Sequence, residues 1–151
     1  VYTPSWLVKK MCDMLDEENG GDAFSSIDKT FLEPSCGNGQ FLVEIFERKL
    51  KLCKTAEDGL AALSTIYGID ILPDNVEESK QRLFDMFVNA FPKASALTGL
   101  QAAEILEKRI ICGNSLEIME TPESMSKAFG VDVEFCGNTK NTKGRKNHEC
   151  E

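Results

Sequence analysis

The segment that says most about the fold of this chain is an apolar strand, followed by a tight turn and then directly by a helix. The segment reads FLEPSCGNGQF from Phe31 to Phe41, with Glu33 at the end of the strand and Gly37 and Gly39 in the turn. Glycines let a backbone approach a ligand closely, and a helix start presents N–H groups that have no partner within the helix. The segment therefore predicts a ligand-binding loop in an α/β fold.

The residues around the two glycines narrow the class of ligand. Loops that bind a dinucleotide read G-x-G-x-x-G, whereas Leu42 occupies the place of the third glycine here. The carboxylate of Glu33 precedes the turn and favours a ligand that carries cationic groups. An NAD-dependent dehydrogenase is therefore the weakest of the functions that we consider.

Strand-like and helix-like segments alternate along the chain, which predicts an α/β fold with a parallel sheet. Strands are expected at 30–32, 65–69, 109–112 and 131–135, and helices at 38–54, 56–63, 73–91, 100–108 and 122–129, with a loop at 93–99. A first helix is expected to start at Thr3 and Pro4, with the Thr3 hydroxyl as its cap. Its inward face is expected to consist of Trp6, Leu7, Met11, Met14 and Leu15.

Polar side chains follow three of the predicted strands. Glu33, Asp70 and Asn114 each lie just past a strand end, and the carboxyl ends of parallel strands meet at one edge of a sheet. A carboxylate such as Asp70 can accept hydrogen bonds from two ribose hydroxyls, or it can cap the helix that begins at Pro73. Asn114 can accept a hydrogen bond from an adenine amino group, or it can serve only in a turn.

Four motifs in order resemble those of the S-adenosylmethionine-dependent DNA methyltransferases. The acid-Pro-x-x-Gly-x-Gly pattern that begins at Glu33 resembles their motif I. The other three are VYTP at 1–4 with Leu7, Val8 and Met11 for motif X, IYGID at 66–70 for motif II, and IICGNSL at 110–116 for motif III. The order X, I, II, III is that of the gamma group of amino-methyltransferases, which mostly modify adenine and include the modification subunits of restriction systems.

The resemblance implies a fold and a cofactor site. The fold would be a Rossmann-like methyltransferase three-layer sandwich with a mostly parallel sheet, incomplete in this chain. Glu33 would face the positively charged amino-acid portion of S-adenosylmethionine, Thr3 its carboxylate, and Asp70 its ribose. The residues expected to bind the cofactor are Tyr2, Thr3, Pro4, Glu33, Pro34, Ser35, Cys36, Gly37, Asn38, Gly39, Phe41, Asp70, Ile71, Asn114, Ser115 and Leu116.

The chain departs from the family after the fourth predicted strand. Family members place Asn or Asp, two prolines and an aromatic residue there, and these groups hold the flipped target base. Here Gly137 and Asn138 fit the start of that motif, but the prolines and the aromatic residue are absent. Asn138 is therefore the only candidate catalytic residue, and we expect this chain alone to bind the cofactor without efficient methyl transfer.

We expect residues 1–136 to form the cofactor-binding half of a catalytic domain and 137–151 to be a polar basic tail. The leading hypothesis is an adenine-specific DNA methyltransferase of a restriction–modification system. The alternatives are a non-catalytic scaffold or remnant of the same fold that binds a partner chain, and a methyltransferase that acts on protein glutamine or on RNA. The segment that contains Tyr2 favours DNA among these substrates.

The net charge, the apolar runs and the cysteines of the chain indicate its binding partners and its cellular compartment. A net charge of −8 argues against strong DNA binding by this piece alone. Double-stranded DNA is therefore expected to be held by a recognition domain or a partner subunit, or to meet this piece along one local surface only. No apolar run is long enough for a membrane span, and no signal peptide pattern is present. The six cysteines lack paired spacing, so reduced thiols, a cytoplasmic location and no metal site are expected.

Overall fold

A computed structural model describes residues 3–131, and contacts divide the chain into a first unit, Val1–Ser115, and a second unit, Leu116–Glu151. The elements in chain order are α1 Ser5–Glu18, β1 Phe31–Glu33, α2 Gln40–Leu50, α3 Ala56–Ser64, β2 Ile66–Asp70, α4 Pro73–Ala90, α5 Ala96–Arg109, β3 Ile110–Cys112, α6 Ser115–Ile118 and α7 Pro122–Phe129. The domain boundary predicted at residue 136 and nearly all of the predicted fourth strand lie outside the described residues.

The three strands form a parallel sheet in the order β1-β2-β3. The predicted α/β class with a parallel sheet is therefore confirmed. Each crossover between neighbouring strands contains two helices, α2 and α3 in the first and α4 and α5 in the second. Because successive right-handed crossovers run in the same direction across the sheet, their helices are expected on the same face.

The core of the first unit lies between the sheet and these four helices. Strand pairing places Ile66, Gly68 and Ile110 on one face of the sheet, since Gly68 pairs with Ile110 and lies two residues after Ile66. A methyl group at Gly68 would lie 3.0 Å from a Leu42 methyl group, so α2 presses directly on the middle strand. The buried cluster on this face is Cys36, Leu42, Ile45, Phe46, Ala62, Leu63, Ile66, Val76, Leu83, Phe87, Ala102, Leu106 and Ile110.

The first helix differs from the prediction in its cap and in its buried face. Its N-cap is Pro4 without a side-chain hydrogen bond, so the Thr3 hydroxyl does not cap it. Val8 and Cys12 are the buried residues of α1, whereas most of the predicted inward face is exposed. Apolar residues cover more of the circumference of α1 than the rest of the unit buries. Helical periodicity alone therefore could not show which of them would be buried, and the predicted inward face is wrong.

Two helix boundaries also differ from the prediction. The segment predicted as a loop at 93–99 contains the start of α5, because the Ser95 hydroxyl accepts a hydrogen bond from the N–H of Thr98 and caps that helix. Gly99, which the sequence predicts to be the last residue of a loop, lies inside α5. The second helix is shorter than expected, because the glycine turn continues to Gly39 and the last regular residue is Leu50.

The second unit contains the predicted helix at 122–129. Thr121 and Ser124 form a reciprocal capping box at the start of α7, and Gly130 ends it with a left-handed φ of 73°. The Ser124 hydroxyl also donates to the carbonyl of Ile118 at 2.7 Å, which ties α7 to the end of α6.

A buried lysine fixes the segment that leads into β1. Lys49 on α2 is 0% exposed, and its ammonium donates to the carbonyls of Ile27 at 2.9 Å and Lys29 at 2.7 Å. The same ammonium lies 5.0 Å from the centre of the Phe31 ring. Burial lowers the pKa of Lys49 from its ordinary 10.5 to about 8. Two carbonyl groups and a ring contact the charged form, and the charge of the Asp28 carboxylate also favours it, but burial outweighs these effects.

The low pKa of Lys49 predicts a pH-dependent difference between the wild type and Lys49→Met. Between pH 8 and 10.5 the unfolded chain holds a proton on this lysine that the folded chain has lost, so stability rises with pH. We expect the wild type to gain roughly 3 kcal/mol relative to the variant across this window, measured by urea unfolding at each pH. The buried thiols of Cys12 and Cys36, with pKa values near 11, are present in both proteins and cancel in the difference. A flat difference would contradict the burial of a titrating amine.

Candidate ligand-binding site

The carboxylate of Asp70 joins the glycine turn to the end of β2 and the start of α4. Its Oδ1 accepts from the N–H of Gly37 at 3.0 Å, and its Oδ2 accepts from the N–H of Leu72 and the side-chain amide of Asn75, each at 3.0 Å. Burial opposes ionisation, but the bonds from these three donors outweigh it and lower the pKa of Asp70. Asp70 is therefore a buried, ionised anchor.

Backbone hydrogen bonds join the three strand ends at the same edge. The N–H of Cys36 donates to the carbonyl of Ile69 at 2.9 Å, and the N–H of Gly113 donates to the carbonyl of Asp70 at 2.9 Å. The loop after β1, the end of β2 and the turn before Asn114 are thus consecutive neighbours at one edge of the sheet.

Asp70 is not the predicted cap of α4, because the N-cap of that helix is Leu72 without a side-chain cap hydrogen bond. It holds the start of α4 through Leu72 and Asn75 instead, and a ribose role for it stays a prediction. The residue is 7% exposed, and it already accepts three hydrogen bonds from protein groups. Each carboxylate oxygen offers two acceptor positions, so the single bond to Oδ1 in the described part of the chain leaves capacity for one hydroxyl.

Glu33 ends β1 at the rim of the glycine turn. Its Oε2 accepts from the N–H of Ser35 at 3.1 Å, while Pro34 and Ser35 themselves are exposed. Burial raises the pKa of Glu33, and the bond from Ser35 opposes this only in part. A cation placed beside this half-buried carboxyl group would stabilise its charged form and so lower its raised pKa.

The two glycines of the turn both have positive φ, 55° at Gly37 and 101° at Gly39. At Gly39 the space for a side chain is taken by α4, since a methyl group there would lie 3.1 Å from the Ser79 hydroxyl and 3.4 Å from its Cα. Close approach at Gly39 is therefore between the turn and a helix, whereas the sequence pattern suggested approach to a ligand.

Cys36 lies inside the turn and is buried. Burial raises the pKa of its thiol to about 11, so the thiolate that a nucleophile needs is scarce near pH 7. Its sulfur lies 4.0 Å from the Ser79 hydroxyl. A packing role explains this cysteine without any covalent chemistry.

The sequence did not predict the residues of α4 whose side chains hydrogen-bond to the glycine turn. The Ser79 hydroxyl donates to the carbonyl of Gly37 at 3.0 Å, Arg82 donates to the carbonyl of Asn38 at 2.9 Å, and the Asn38 amide donates to Glu78 at 3.2 Å. The signal was present as polar residues at helical spacing, Asn75, Glu78, Ser79 and Arg82, between the apolar positions of α4.

The N-terminal segment, by which we mean Thr3 and Pro4, is attached to the same loop. Gln40, the first residue of α2, donates through its side-chain amide to the carbonyl of Thr3 at 3.0 Å. Thr3 is half-buried and Pro4 is exposed. The structure therefore brings Thr3 beside the glycine turn, while Tyr2 lies outside the described residues.

The other predicted site residues differ in exposure. Ile71 follows Asp70 directly and is 63% exposed, beside Leu72, which is 55% exposed. Asn114 is exposed and Ser115 is half-buried at the end of the first unit, and Phe41 is half-buried on α2. Leu116 begins the second unit and is 84% exposed, and Asn138 lies outside the described residues.

A separate open groove lies between α4 and α5. It has a volume of about 210 Å³ and is lined by Glu77, Lys80, Gln81, Phe84, Ala103, Leu106 and Glu107. None of the predicted site residues lines it, and Lys80 is bound on its rim by Glu77 at 2.8 Å and Glu107 at 2.9 Å.

Within residues 3–131, no helix is both long and apolar enough to cross a bilayer. The same residues contain no group of three or more histidines, cysteines or carboxylates placed to hold a metal ion. The cysteines of this part of the chain, Cys12, Cys36, Cys53 and Cys112, are free thiols. The other two cysteines, Cys136 and Cys150, lie outside the described residues.

Comparison of the chain with models of protein families, with curated proteins and with solved structures found no match.

The geometry of the turn predicts unequal effects of alanine at two glycines with positive φ. Gly20 has a φ of 68° and open space around it, so Gly20→Ala should cost only backbone strain, about 1 kcal/mol. Gly39→Ala adds contact with Ser79 and should cost about 3 kcal/mol. Urea unfolding of both variants measures the difference. Equal losses would contradict the close packing of the turn on α4.

Proposed function

We propose that this chain is the S-adenosylmethionine-binding portion of a site-specific DNA adenine methyltransferase of a restriction–modification system. The observation that supports the proposal is that hydrogen bonds connect the four segments of the resemblance. Thr3, the glycine turn, the end of β2 and the turn after β3 are neighbours at the carboxyl edge of a parallel sheet. Ligands of open α/β sheets bind at this edge.

The groups at this edge suit the chemistry of the cofactor. The carboxylate of Glu33 suits its ammonium group, and the first turn of α2 offers N–H groups and a positive dipole end to its carboxylate. The remaining acceptor position of Asp70 suits a ribose hydroxyl, and the exposed side chains of Ile71 and Leu72 offer an apolar surface to adenine. On this proposal the fold is the Rossmann-like methyltransferase sandwich, of which the first unit supplies one sheet and one helical layer.

When bound, the cofactor would supply an electrophilic methyl group to the exocyclic amino group of a flipped adenine. The residues of this chain would contribute position and electrostatic stabilisation rather than a covalent intermediate. Asn138 is proposed to accept a hydrogen bond from the target amino group. Double-stranded DNA would be held by a recognition domain or partner subunit, because this acidic chain offers little charge to phosphates. A cytoplasmic location belongs to the same proposal.

A non-catalytic scaffold is the second candidate, and the surface of α1 favours it. Trp6, Met11 and Met14 are 68%, 45% and 48% exposed on a helix whose other side is buried. Large exposed apolar side chains in one region are typical of a surface that another protein covers. A protein-glutamine or RNA methyltransferase would use the same cofactor edge and differ in the substrate.

Titration calorimetry with S-adenosylmethionine, with NAD as a control ligand, tests the proposal. We expect selective binding of S-adenosylmethionine by the wild type. Glu33→Gln keeps the shape of the side chain and removes its charge, so affinity should fall by about tenfold or more, as expected for loss of a charge-assisted hydrogen bond. Because burial raises the pKa of Glu33, the titration is made at pH 8, where a higher pH favours the charged carboxylate.

Asp85→Asn is the matched control for this variant. Asp85 is an exposed carboxylate on α4 that accepts from Gln81 at 2.9 Å, one helical turn away. Its neutralisation changes the net charge equally but should leave the dissociation constant unchanged. Absence of binding by folded wild type would contradict the cofactor assignment and favour the scaffold. Equal affinity of wild type and Glu33→Gln would contradict the placement of the ammonium group.

A further inference from the structure

A chain of hydrogen bonds runs from the middle of α4 to the N-terminal segment. Arg82 donates from Nη1 to the carbonyl of Asn38 at 2.9 Å and to Oε1 of Gln40 at 2.8 Å. Gln40 in turn donates from Nε2 to the carbonyl of Thr3 at 3.0 Å. One side chain of α2 thus links three separate parts of the first unit.

The orientation of the Gln40 amide follows from its neighbours. A guanidinium can only donate, so the amide oxygen must face Arg82. A backbone carbonyl can only accept, so the amide nitrogen must face Thr3. The two bonds therefore support each other, and neither would survive a rotation of the amide by half a turn.

Gln40 also has a special place in the chain, because it directly follows Gly39 and begins α2. A displacement of the glycine turn must move its backbone. The bond to Thr3 transmits that movement to the segment ahead of α1, where the N–H groups of Leu7 and Val8 donate to the carbonyl of Pro4 at 3.1 Å each.

We propose that Gln40 is a positioning residue, which holds the N-terminal segment against the glycine turn so that this segment forms one wall of the cofactor site. The inference rests on the proposed function and adds a coupling to it. Binding of the cofactor at the turn stabilises the docked segment, and the docked segment raises the affinity for the cofactor. Arg82 acts through Gln40 by fixing its amide.

Two variants separate this role from folding. Gln40→Glu keeps the size of the side chain and the bond from Arg82, but places an acceptor against the Thr3 carbonyl and so breaks only that link. Gln40→Met removes both bonds without adding charge. Gln81→Met is the matched control, since Gln81 is an exposed glutamine on α4 that donates only to Asp85 among the bonds described above.

The first measurement is made without ligand and reports whether the N-terminal segment is docked on the glycine turn. Hydrogen exchange at the amides of Leu7 and Val8 should be at least about fivefold faster in both Gln40 variants, and unchanged in Gln81→Met. The only tryptophan of the chain, Trp6, lies in the same helical turn and is 68% exposed, so acrylamide quenching of its fluorescence gives a second readout.

The second measurement adds S-adenosylmethionine. In the wild type the cofactor should slow exchange at Leu7 and Val8 and reduce quenching of Trp6. In the Gln40 variants the dissociation constant should rise by about five- to tenfold, and the protection of Trp6 by cofactor should disappear. A residue that served folding alone would lower the urea midpoint without removing the effect of the cofactor on Trp6.

The outcomes distinguish this inference from the function on which it rests. Wild type that binds the cofactor with the same affinity as both Gln40 variants overturns the positioning role and leaves the proposed function standing. Exchange at Leu7 and Val8 that is the same in all four proteins also overturns it. Wild type that is folded and fails to bind overturns the proposed function together with the cofactor role of Gln40.

Discussion

The carboxylate of Asp70 is the point at which the edge of this sheet is assembled. It accepts hydrogen bonds from Gly37 in the turn after β1 and from Leu72 and Asn75 at the start of α4. Two of these donors are backbone N–H groups of a turn and of a helix start, which have no partner within their own segment. The third is the side-chain amide of Asn75. One buried anion therefore satisfies three donors and sets the distance between two strand ends. The Gly113 N–H, which donates to the Asp70 carbonyl, adds the third strand to the same point.

Asp70 binds the glycine turn at Gly37, and side chains of α4 bind the turn at further points. Ser79 and Arg82 bind its carbonyl groups, and Gly39 packs on Ser79 with no space for a side chain. A loop fixed on two sides is preorganised, so a ligand that binds it loses little free energy to ordering the protein. This gives the turn, and the half-buried Glu33 at its rim, the rigidity that a cofactor site needs.

The sequence predicted the three strands that the structure describes, their parallel sheet and the position of Glu33, Asp70 and Asn114 at one edge. Apolar runs and turn residues are local signals, and alternation of strands with helices is typical of a parallel sheet. The sequence did not predict which part of α1 would be buried, because Val8 and Cys12 are set by contact with the rest of the first unit and not by periodicity. It placed the start of α5 too late, because Gly99 was taken as part of a loop while the cap formed by Ser95 was overlooked. The partners of the turn on α4 were missed for a related reason. Polar residues were visible at helical spacing on α4, but only the tertiary structure places Ser79 beside Gly37. The same holds for Gln40 on α2, which the tertiary structure places beside Thr3.

The central claim is that the carboxyl edge of the sheet, and not the groove between α4 and α5, binds S-adenosylmethionine. Titration of ¹⁵N-labelled protein with this ligand tests the claim residue by residue through amide chemical shifts. We predict that the amides of Gly37, Gly39 and Ile71 shift in a saturable manner, while those of Gln81 and Ala103 in the groove do not. Shifts confined to the groove, or no saturable shift in a folded protein, would contradict the account.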